Sequence, residues 1–370
     1  MCKNLVFVVA DITATGGIER VITHLGSHFI SYGYNVEILS VHQSNKEIAY
    51  DLDPAVKVTF VDSNIKPIGK PGSVYKLWSH IISSFRLNIE LFKRRNSIVV
   101  LNSFPVSLIS FFCGVINKRC VVVEHVYYNY YGRLIREIRS ILYKKFAKII
   151  VLTERDKRDY EMEGVSVITI PNPLCSVSKR KPNTNILNKK IIAVGRLEYQ
   201  KGFDILIKVF YEIPATIRKG WVLDIYGDGS ELENLQLLIK KYSLQDNIFL
   251  KGNAKNITQL YYLYDFFVFS SRFEGFGMVL LEAMNAGLPC ISFDCPTGPS
   301  EILHSGEYGL LCPNGDMEAL RTAMISLMRD EIKREELSTK SVTRSNDYSI
   351  SVIGQQWNDM FIKLESKKHE

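Results

Sequence analysis

Short apolar runs of strand length alternate with amphipathic stretches of helix length along almost the whole chain. Five of these runs fall in the first half, at residues 5–10, 36–41, 98–102, 120–124 and 148–152. After a break, five more follow at residues 190–194, 222–226, 248–250, 266–270 and 289–293. Apolar strands separated by helices are typical of parallel sheets that are covered on both faces. The pattern therefore predicts an α/β protein with two doubly wound parallel sheets.

The break between the two series marks the domain boundary. Residues 174–189 are polar and lack periodicity, so we expect a linker there, with one domain at 1–173 and the other at 174–349. Residues 349–365 space their apolar positions as a helix does. Ligands of such folds bind beyond the carboxyl ends of the strands, and with two sheets the gap between the domains is the expected site.

Composition excludes several classes of protein. No apolar run reaches the length of a membrane span, and the longest candidate, residues 104–116, is expected to be a buried helix. The chain opens directly in a strand, without a signal-peptide pattern. Its seven cysteines contain no Cys-x-x-Cys pair, which favours a reducing compartment and no metal framework. A cytoplasmic protein is the expectation.

The positive charge belongs to the first half of the chain. Residues 1–173 carry 22 Lys and Arg against 15 Asp and Glu, whereas residues 174–370 carry 24 of each. A basic face of this kind suits an anionic membrane surface, a phosphorylated acceptor or nucleic acid, but no nucleic-acid recognition motif is present.

Two segments concentrate this basic character. Residues 132–148 predict a basic amphipathic helix, whose basic side includes Arg139, and residues 93–95 form a second basic patch. The helix either rests on anionic lipid or packs its apolar stripe on its own sheet with a basic outer face. We expect association with a membrane surface.

The most informative chemistry lies in the second half, where Glu274 and Glu282 flank a Gly-Phe-Gly turn at residues 275–277. An apolar strand precedes the turn and a helical pattern follows it. Backbone N–H groups and the positive end of the helix would then point at one place, which suits a diphosphate. The two carboxylates can accept hydrogen bonds from hydroxyls on either side of that anion. A nucleotide sugar has this arrangement of sugar, diphosphate and ribose.

Two cations follow an earlier strand of the same half. Arg196 and Lys201 lie on one loop, and both can neutralise a diphosphate that gains charge as a leaving group. Asn253 follows the strand at 248–250, near the place expected for a nucleobase. The Asp-x-Asp sequence of Asp51 and Asp53 lies in a loop far from this site, so we expect it to be a chance acidic loop and expect no metal to be required.

The first half offers fewer candidates. Gly16 and Gly17 lie between the first strand and the first helix, but the loop lacks Gly-x-Gly-x-x-Gly, and no acid ends the second strand at residues 40–42. A nicotinamide cofactor is therefore disfavoured. His125 ends the strand at 120–124, where ligands of such folds gather. A structural histidine is the alternative interpretation.

These motifs together resemble glycosyltransferase family 4, whose members have the GT-B architecture of two Rossmann-like domains facing a cleft. The resemblance rests on Glu-x7-Glu with Gly-Phe-Gly (residues 274–282), Gly-Arg-Leu with Lys-Gly (195–202) and Gly-Gly-x-Glu-Arg (16–20). It covers nearly all of the chain in order. It implies that the first domain binds the acceptor, that the second binds the nucleotide sugar, and that residues 350–370 pack back on the first.

The resemblance also implies a role for each matched residue. Arg196 and Lys201 would contact the donor diphosphate. Glu274 would bind hydroxyls of the donor sugar, and Glu282 would bind those of the ribose. His125 would contact the donor sugar and stabilise charge, which makes it a catalytic candidate with Arg196, Lys201 and Glu274. The other donor-binding candidates are Gly16, Gly17, Gly195, Asn253, Phe276, Gly277, Met278 and Val279.

The expected reaction is retaining transfer of a hexose or N-acetylhexosamine from a UDP-sugar to a lipid-linked oligosaccharide, without cofactor or metal. This is the chemistry of bacterial O-antigen, capsule and related surface-polysaccharide synthesis, at the cytoplasmic face of the inner membrane. The alternatives are a GDP-mannose donor, a soluble acceptor, a sugar epimerase of the same architecture, or a nucleotide-sugar sensor without activity.

Overall fold

The structure, a computed structural model, describes residues 4–62, 74–111, 119–175, 188–254 and 256–366, with no side-chain description for 74–81. The chain forms two compact units, Met1–Cys175 together with Ile350–Glu370, and Ser176–Ser349. Most of the predicted linker, residues 176–187, lies outside the described residues. No helix within the described ranges is long and apolar enough to cross a bilayer.

The first unit contains a parallel sheet of seven described strands in the order β3-β2-β1-β4-β5-β6-β7. Its inner strands are almost wholly apolar, because helices cover both faces of a sheet of this kind. The strands are β1 (Asn4–Val9), β2 (Asn35–Ser40), β3 (Lys57–Phe60), β4 (Ile98–Asn102), β5 (Cys120–Val123), β6 (Lys148–Val151) and β7 (Val167–Thr169).

Helices connect these strands, and one from the end of the chain joins them. They are α1 (Gly17–Ser31), α2 (Val74–Lys93), α3 (Phe104–Phe111), α4 (Arg133–Tyr143), α5 (Glu154–Met162) and, from the C-terminus, α14 (Ile350–Ser366). Phe361 of α14 packs against Phe29 of α1 with ring centroids 5.4 Å apart, and the Tyr34 hydroxyl donates to Asn358 Oδ1 at 2.8 Å. Of the helix predicted at 104–116, α3 covers the first eight residues, and the remainder lies outside the described residues.

The second unit contains six described parallel strands in the order β10-β9-β8-β11-β12-β13. They are β8 (Lys190–Val194), β9 (Val222–Tyr226), β10 (Ile248–Leu250), β11 (Phe266–Phe269), β12 (Cys290–Asp294) and β13 (Leu310–Pro313). The helices are α6 (Phe203–Glu212), α7 (Ala215–Arg218), α8 (Leu232–Lys241), α9 (Ile257–Leu260), α10 (Met278–Asn285), α11 (Pro299–Ile302), α12 (Met317–Arg329) and α13 (Glu331–Ser345). The predicted pair of doubly wound, Rossmann-like parallel sheets is confirmed.

Of the basic helix predicted at residues 132–148, α4 covers Arg133–Tyr143, and it faces the sheet with an unexpected side. Its buried residues are Arg139, Ser140, Leu142 and Tyr143. Four residues of the predicted apolar stripe are exposed instead, namely Leu134, Ile135, Ile138 and Ile141. The interpretation in which that stripe packs on the sheet is therefore wrong for these four positions. Arg139 was also wrongly placed on the outer basic face.

The second basic patch, at residues 93–95, is smaller than predicted. Arg94 donates from Nε and Nη2 to the Glu37 carboxylate, with both distances 2.7 Å, and from Nη1 to Glu90 at 2.6 Å. Burial alone would raise the pKa of Glu37, but the hydrogen bonds from Arg94 lower it to about 2. Arg94 therefore fixes α2 to β2, while Lys93 and Arg95 remain exposed.

Candidate active site

The second unit brings together one predicted cation and one predicted acid. Lys201, at the end of the loop between β8 and α6, places Nζ 2.5 Å from Glu274 Oε1 on the loop between β11 and α10. Ser271 Oγ donates to the same carboxylate oxygen at 2.6 Å. Glu274 is buried, and such a charge requires a partner of this kind. The two loops thus form one polar centre at the carboxyl ends of two adjacent strands.

Arg272 holds these two loops together, and sequence reasoning did not identify it. Its guanidinium donates to both carboxylate oxygens of Asp204, at 2.8 and 2.7 Å, and to the carbonyl of Tyr199 at 2.7 Å. It also stacks 3.9 Å above the Tyr199 ring. A bidentate, stacked arginine is a rigid support, so Arg272 positions the turn that carries Lys201.

Arg196 lies on the same loop as Lys201 but in a different environment. Its side chain is exposed, and Nη2 makes a long contact of 3.5 Å with Gln200 Oε1. Gln200 in turn donates to the Phe273 carbonyl at 2.8 Å. On this loop, Lys201 is paired with Glu274, whereas Arg196 is accessible to an incoming anion.

Helix α10 begins beside this centre. Its N-cap is Gly277, whose φ of +100° is a conformation that L side chains rarely adopt. The first N–H groups of a helix have no acceptor within the helix, so those at Met278 and Val279 can serve an anion. Glu282 follows in the second turn of α10 and is 4% exposed. The order of turn, helix start and acid is the one that the sequence predicted.

The loop after β12 supports the turn that leads into α10. Thr297 Oγ1 donates to the carbonyl of Glu274 at 2.5 Å. A Cβ added at Gly298 would lie 1.7 Å from the carbonyl oxygen of Phe276, so no larger residue fits there without a shift of the backbone. The conformation of the Gly-Phe-Gly turn therefore depends on this neighbouring loop.

The ends of β8, β9 and β10 lie side by side in the same unit. The Gly227 N–H donates to the Gly252 carbonyl at 2.9 Å, and a Cβ at Gly227 would lie 1.8 Å from the Gly195 carbonyl oxygen. Asn253 follows Gly252 directly and is exposed. Gly195 and Asn253 therefore lie, like Lys201, at the carboxyl ends of the strands of this sheet.

In the first unit, Gly16 and Gly17 lead into α1 as predicted. The Glu19 side chain folds back over this turn, so that a Cβ at Gly16 would lie 2.3 Å from Glu19 Oε2. Burial raises the pKa of Glu19. The start of α1 thus already has a carboxylate beside it, whereas no acid is found in the first turn of α10.

His125 follows β5 and contacts Asn102 at the end of β4, with 3.1 Å between Nε2 and Asn102 Oδ1. The Asn102 amide nitrogen donates to the carbonyls of Val8 and Val100, so Oδ1 faces the ring and the imidazole must donate its Nε2–H. Burial lowers the pKa of His125 to about 4. The ring is therefore uncharged at neutral pH. Its Nδ1 is a buried acceptor without a partner among the described residues.

The role of His125 at the donor sugar stays a prediction. An uncharged imidazole with a buried Nδ1 can accept a hydrogen bond from a hydroxyl. Asn102, which was not predicted, is the residue that fixes its tautomer.

A buried ionic network lies behind His125 and was also not predicted. Arg139 Nη1 is 3.4 Å from Glu124 Oε2, and the Tyr143 hydroxyl donates to the same oxygen at 2.8 Å. Arg139 also donates to the Tyr128 carbonyl at 2.6 Å. Burial raises the pKa of Glu124, and the charge of Arg139 opposes that change. The network anchors α4 to the end of β5.

Among the residues that the structure describes, no three His, Cys, Asp or Glu side chains gather closely enough to hold a metal ion. Asp53 of the Asp-x-Asp sequence accepts the Ala55 N–H at 2.8 Å in a local turn. That a metal is unnecessary for the reaction stays a prediction.

Comparison with known proteins decides the class of enzyme. Residues 177–344 match the family described as glycosyl transferases group 1, and residues 15–174 match glycosyltransferase family 4. The chain is a glycosyltransferase of the GT-B type. It is 27% identical over 368 residues to the amylovoran biosynthesis glycosyltransferase AmsD of Erwinia amylovora, and the match covers 96% of this chain and 99% of AmsD.

Solved structures share the GT-B fold with this glycosyltransferase. A variant of S. aureus TarM in complex with fondaparinux, alpha-GlcNAc-glycerol and UDP superposes with a TM-score of 0.78 at 16% identity, covering 97% of this chain and 99% of TarM. The apo form of the lipopolysaccharide outer core galactosyltransferase WaaB gives 0.75 at 20% identity, with 97% and 99% covered.

Replacing Asn102 tests its effect on His125. In Asn102→Ala the imidazole loses its fixed acceptor, so we expect the ¹⁵N spectrum of His125 to change from one tautomer to a mixture. We expect kcat to fall about tenfold, as the loss of one hydrogen bond allows. Ser107→Ala, which removes a different buried hydrogen bond of the first unit, from the Ser107 hydroxyl to the Phe104 carbonyl, is the control. An unchanged His125 spectrum in Asn102→Ala would show that the amide does not set the tautomer.

Proposed function

We propose that this glycosyltransferase moves a hexose or N-acetylhexosamine from a UDP-sugar to a lipid-linked oligosaccharide, with retention of configuration. The acceptor belongs to bacterial surface-polysaccharide synthesis, such as O-antigen or capsule, and the enzyme works at the cytoplasmic face of the membrane. The observation that carries the proposal is the pairing of Lys201 with Glu274 beside the start of α10. This part of the second unit contains a cation, an acid and the first N–H groups of a helix.

Each part of this centre suits one part of the donor. The diphosphate meets the exposed guanidinium of Arg196, the Lys201 ammonium and the N–H groups of Met278 and Val279. Glu274 is held by Ser271 and Lys201 and orients hydroxyls of the sugar. Glu282, one to two turns further along α10, accepts from the ribose hydroxyls.

The reaction then needs little covalent chemistry from the protein. The bond between the anomeric carbon and the β-phosphate oxygen breaks, and an oxocarbenium-like transition state develops. The acceptor hydroxyl forms its bond on the same face, and its proton passes to the leaving phosphate oxygen. Arg196, Lys201 and the start of α10 stabilise the charge that gathers on that phosphate, which is the step that such groups accelerate most.

Several observations support the finer points. The TarM complex contains UDP together with alpha-GlcNAc-glycerol, and an alpha linkage is expected when an alpha-linked donor reacts with retention. The names of AmsD and WaaB connect them with amylovoran and lipopolysaccharide synthesis. The basic excess of the first half of this chain favours an acceptor or surface that carries phosphate.

A donor panel tests the proposal. The purified enzyme is incubated with radiolabelled UDP-glucose, UDP-galactose, UDP-N-acetylglucosamine and GDP-mannose, each with membrane extract. We expect label in the lipid fraction from a UDP-sugar, and an alpha linkage from the anomeric coupling in the product. Label from GDP-mannose alone would contradict the UDP donor. Epimerised UDP-sugar formed without extract would indicate an epimerase, and no turnover of any donor would contradict an enzyme.

A further inference from the structure

The outward side of α4 is apolar at its centre, which is unusual for a surface helix. Its buried side carries Arg139 and Tyr143. On the opposite side, Leu134 is 71% exposed and Ile141 66% exposed, with Ile138 between them. Around this apolar strip lie the exposed cations Arg133, Lys144 and Lys145. Neighbouring exposed apolar side chains that polar residues surround are typical of an interaction site.

Helix α2 repeats the arrangement independently. Its described inner face consists of Ser83, Ser84, Leu87, Asn88 and Leu91, all buried. Its outer face carries Phe85, 65% exposed, and Phe92, 59% exposed, at helical spacing with Ile82 and Ile89. The cations Arg86 and Lys93 lie on the same side of the helix. Two helices of one unit therefore expose apolar residues where polar ones are the rule.

Both helices lie on the same face of the sheet. Helix α2 connects β3 to β4, α3 connects β4 to β5, and α4 connects β5 to β6. All three connections lead in the same direction across the sheet. Because such connections are right-handed, the three helices lie on the same face. The contacts agree, because α3 packs against both α2 and α4. The two apolar strips therefore lie on the same side of the unit, one on each side of α3.

The charged residues around these strips indicate which kind of partner fits them. Several of these cations are paired with acids: Arg133 with Glu137, Lys93 with Glu90, and Arg86 with Asp62. Lys144 and Lys145 add positive charge at the end of α4. Apolar side chains between cations, on two helices that lie along one side, suit a surface of anionic headgroups over acyl chains.

We propose that this docking face, formed by Ile82, Phe85, Ile89 and Phe92 of α2 and by Leu134, Ile135, Ile138 and Ile141 of α4, lies on an anionic lipid bilayer. The inference rests on the proposed function, since a lipid-linked acceptor is reached at such a surface. It adds the residues that insert and the cations that hold the headgroups. None of these residues belongs to the candidate active site.

Vesicle co-sedimentation tests the docking face. The full chain is mixed with vesicles of phosphatidylethanolamine and phosphatidylglycerol, or of phosphatidylcholine alone. We expect binding to the anionic vesicles that weakens with salt, and about tenfold weaker binding for Ile138→Ser with Ile141→Ser and for Phe85→Ser with Phe92→Ser. Leu237→Ser replaces an equally exposed leucine of the second unit and should bind as the unchanged protein does.

Three results would overturn the inference. The first is that the protein stays in solution with anionic vesicles, and the second is that the variants bind as tightly as the unchanged protein. The third is a dimer in sedimentation velocity that the Ile138→Ser, Ile141→Ser variant converts to monomer without any vesicle binding, which would assign the face to a second copy of this chain.

Activity in detergent separates this inference from the proposed function. With detergent-solubilised membrane extract, the docking variants should transfer sugar as fast as the unchanged protein does. With intact membranes, they should be slower than the unchanged protein. If the unchanged protein transfers nothing in detergent, the proposed function fails, whatever the vesicles show. If the variants are equally fast with intact membranes, the docking face alone is wrong.

Discussion

The double substitution Arg196→Ala, Lys201→Ala is expected to lower kcat for sugar transfer at least about 10³-fold. In the proposed mechanism each cation faces the charge that develops on the leaving diphosphate, and the loss of one such group typically costs about 10²- to 10³-fold. Because Lys201 also neutralises the buried Glu274, its removal leaves a carboxylate without its partner beside the reacting sugar. The measurement is single-turnover transfer from the UDP-sugar identified in the donor panel.

Two controls keep this result specific. Lys208→Ala removes an exposed lysine from α6, close in sequence to Lys201, and should leave the rate unchanged. A thermal melt of each variant shows whether the fold persists, because an unpaired Glu274 also costs stability. Transfer at a near-normal rate by a folded double variant would mean that this loop does not bind the diphosphate.

Replacing Arg139 is expected to have the largest effect on stability. Arg139→Met leaves Glu124 fully buried without its cation and removes the bond to the Tyr128 carbonyl. The breaking of a buried ion pair in this way costs about 3–5 kcal/mol, a large share of the stability of a typical domain. Denaturant unfolding of the full chain, followed by fluorescence, measures the loss in the first unit.

A partner variant and a surface variant identify the cause. Glu124→Gln combined with Arg139→Met removes both charges, so it should recover part of the lost free energy of unfolding. Arg133→Met changes an arginine of the same helix whose side chain is 87% exposed, and should change stability by less than about 0.5 kcal/mol. Equal losses in Arg139→Met and Arg133→Met would show that the buried pair contributes nothing.

The sequence predicted the strands that have continuous apolar runs, and the strands that it missed all lie at the edges of the two sheets. All ten predicted runs are strands, whereas β3, β7 and β13 were not predicted. Each of these three lies at an edge of its sheet, has only three or four residues, and is partly exposed. An edge strand packs on fewer neighbours, so its residues need not be uniformly apolar and the pattern is weak.

The candidate site was predictable where local sequence determines it. The Gly-Phe-Gly turn, the start of α10 and the loop with Lys201 follow from glycines and cations next to apolar strands. Arg272 was missed because its partner Asp204 lies 68 residues away, and Asn102 was missed because its contact with His125 crosses between strands. Such pairs depend on strand order, which periodicity does not give.

The orientation of α4 shows a different limit. A helical pattern of apolar residues defines a stripe but not whether that stripe faces the core. Here the buried side carries Arg139 and Tyr143, which both contact the buried Glu124 carboxylate, while Leu134 and Ile141 are exposed. A buried carboxylate needs such partners, and the apolar pattern of the helix carries no information about that need.

A crystal structure of the enzyme with UDP tests the central claim most directly. The proposal predicts diphosphate oxygens within hydrogen-bond distance of Arg196, Lys201 and the first N–H groups of α10, with the ribose hydroxyls on Glu282. A diphosphate that binds anywhere else, without contact to Arg196, Lys201 or the start of α10, would contradict it.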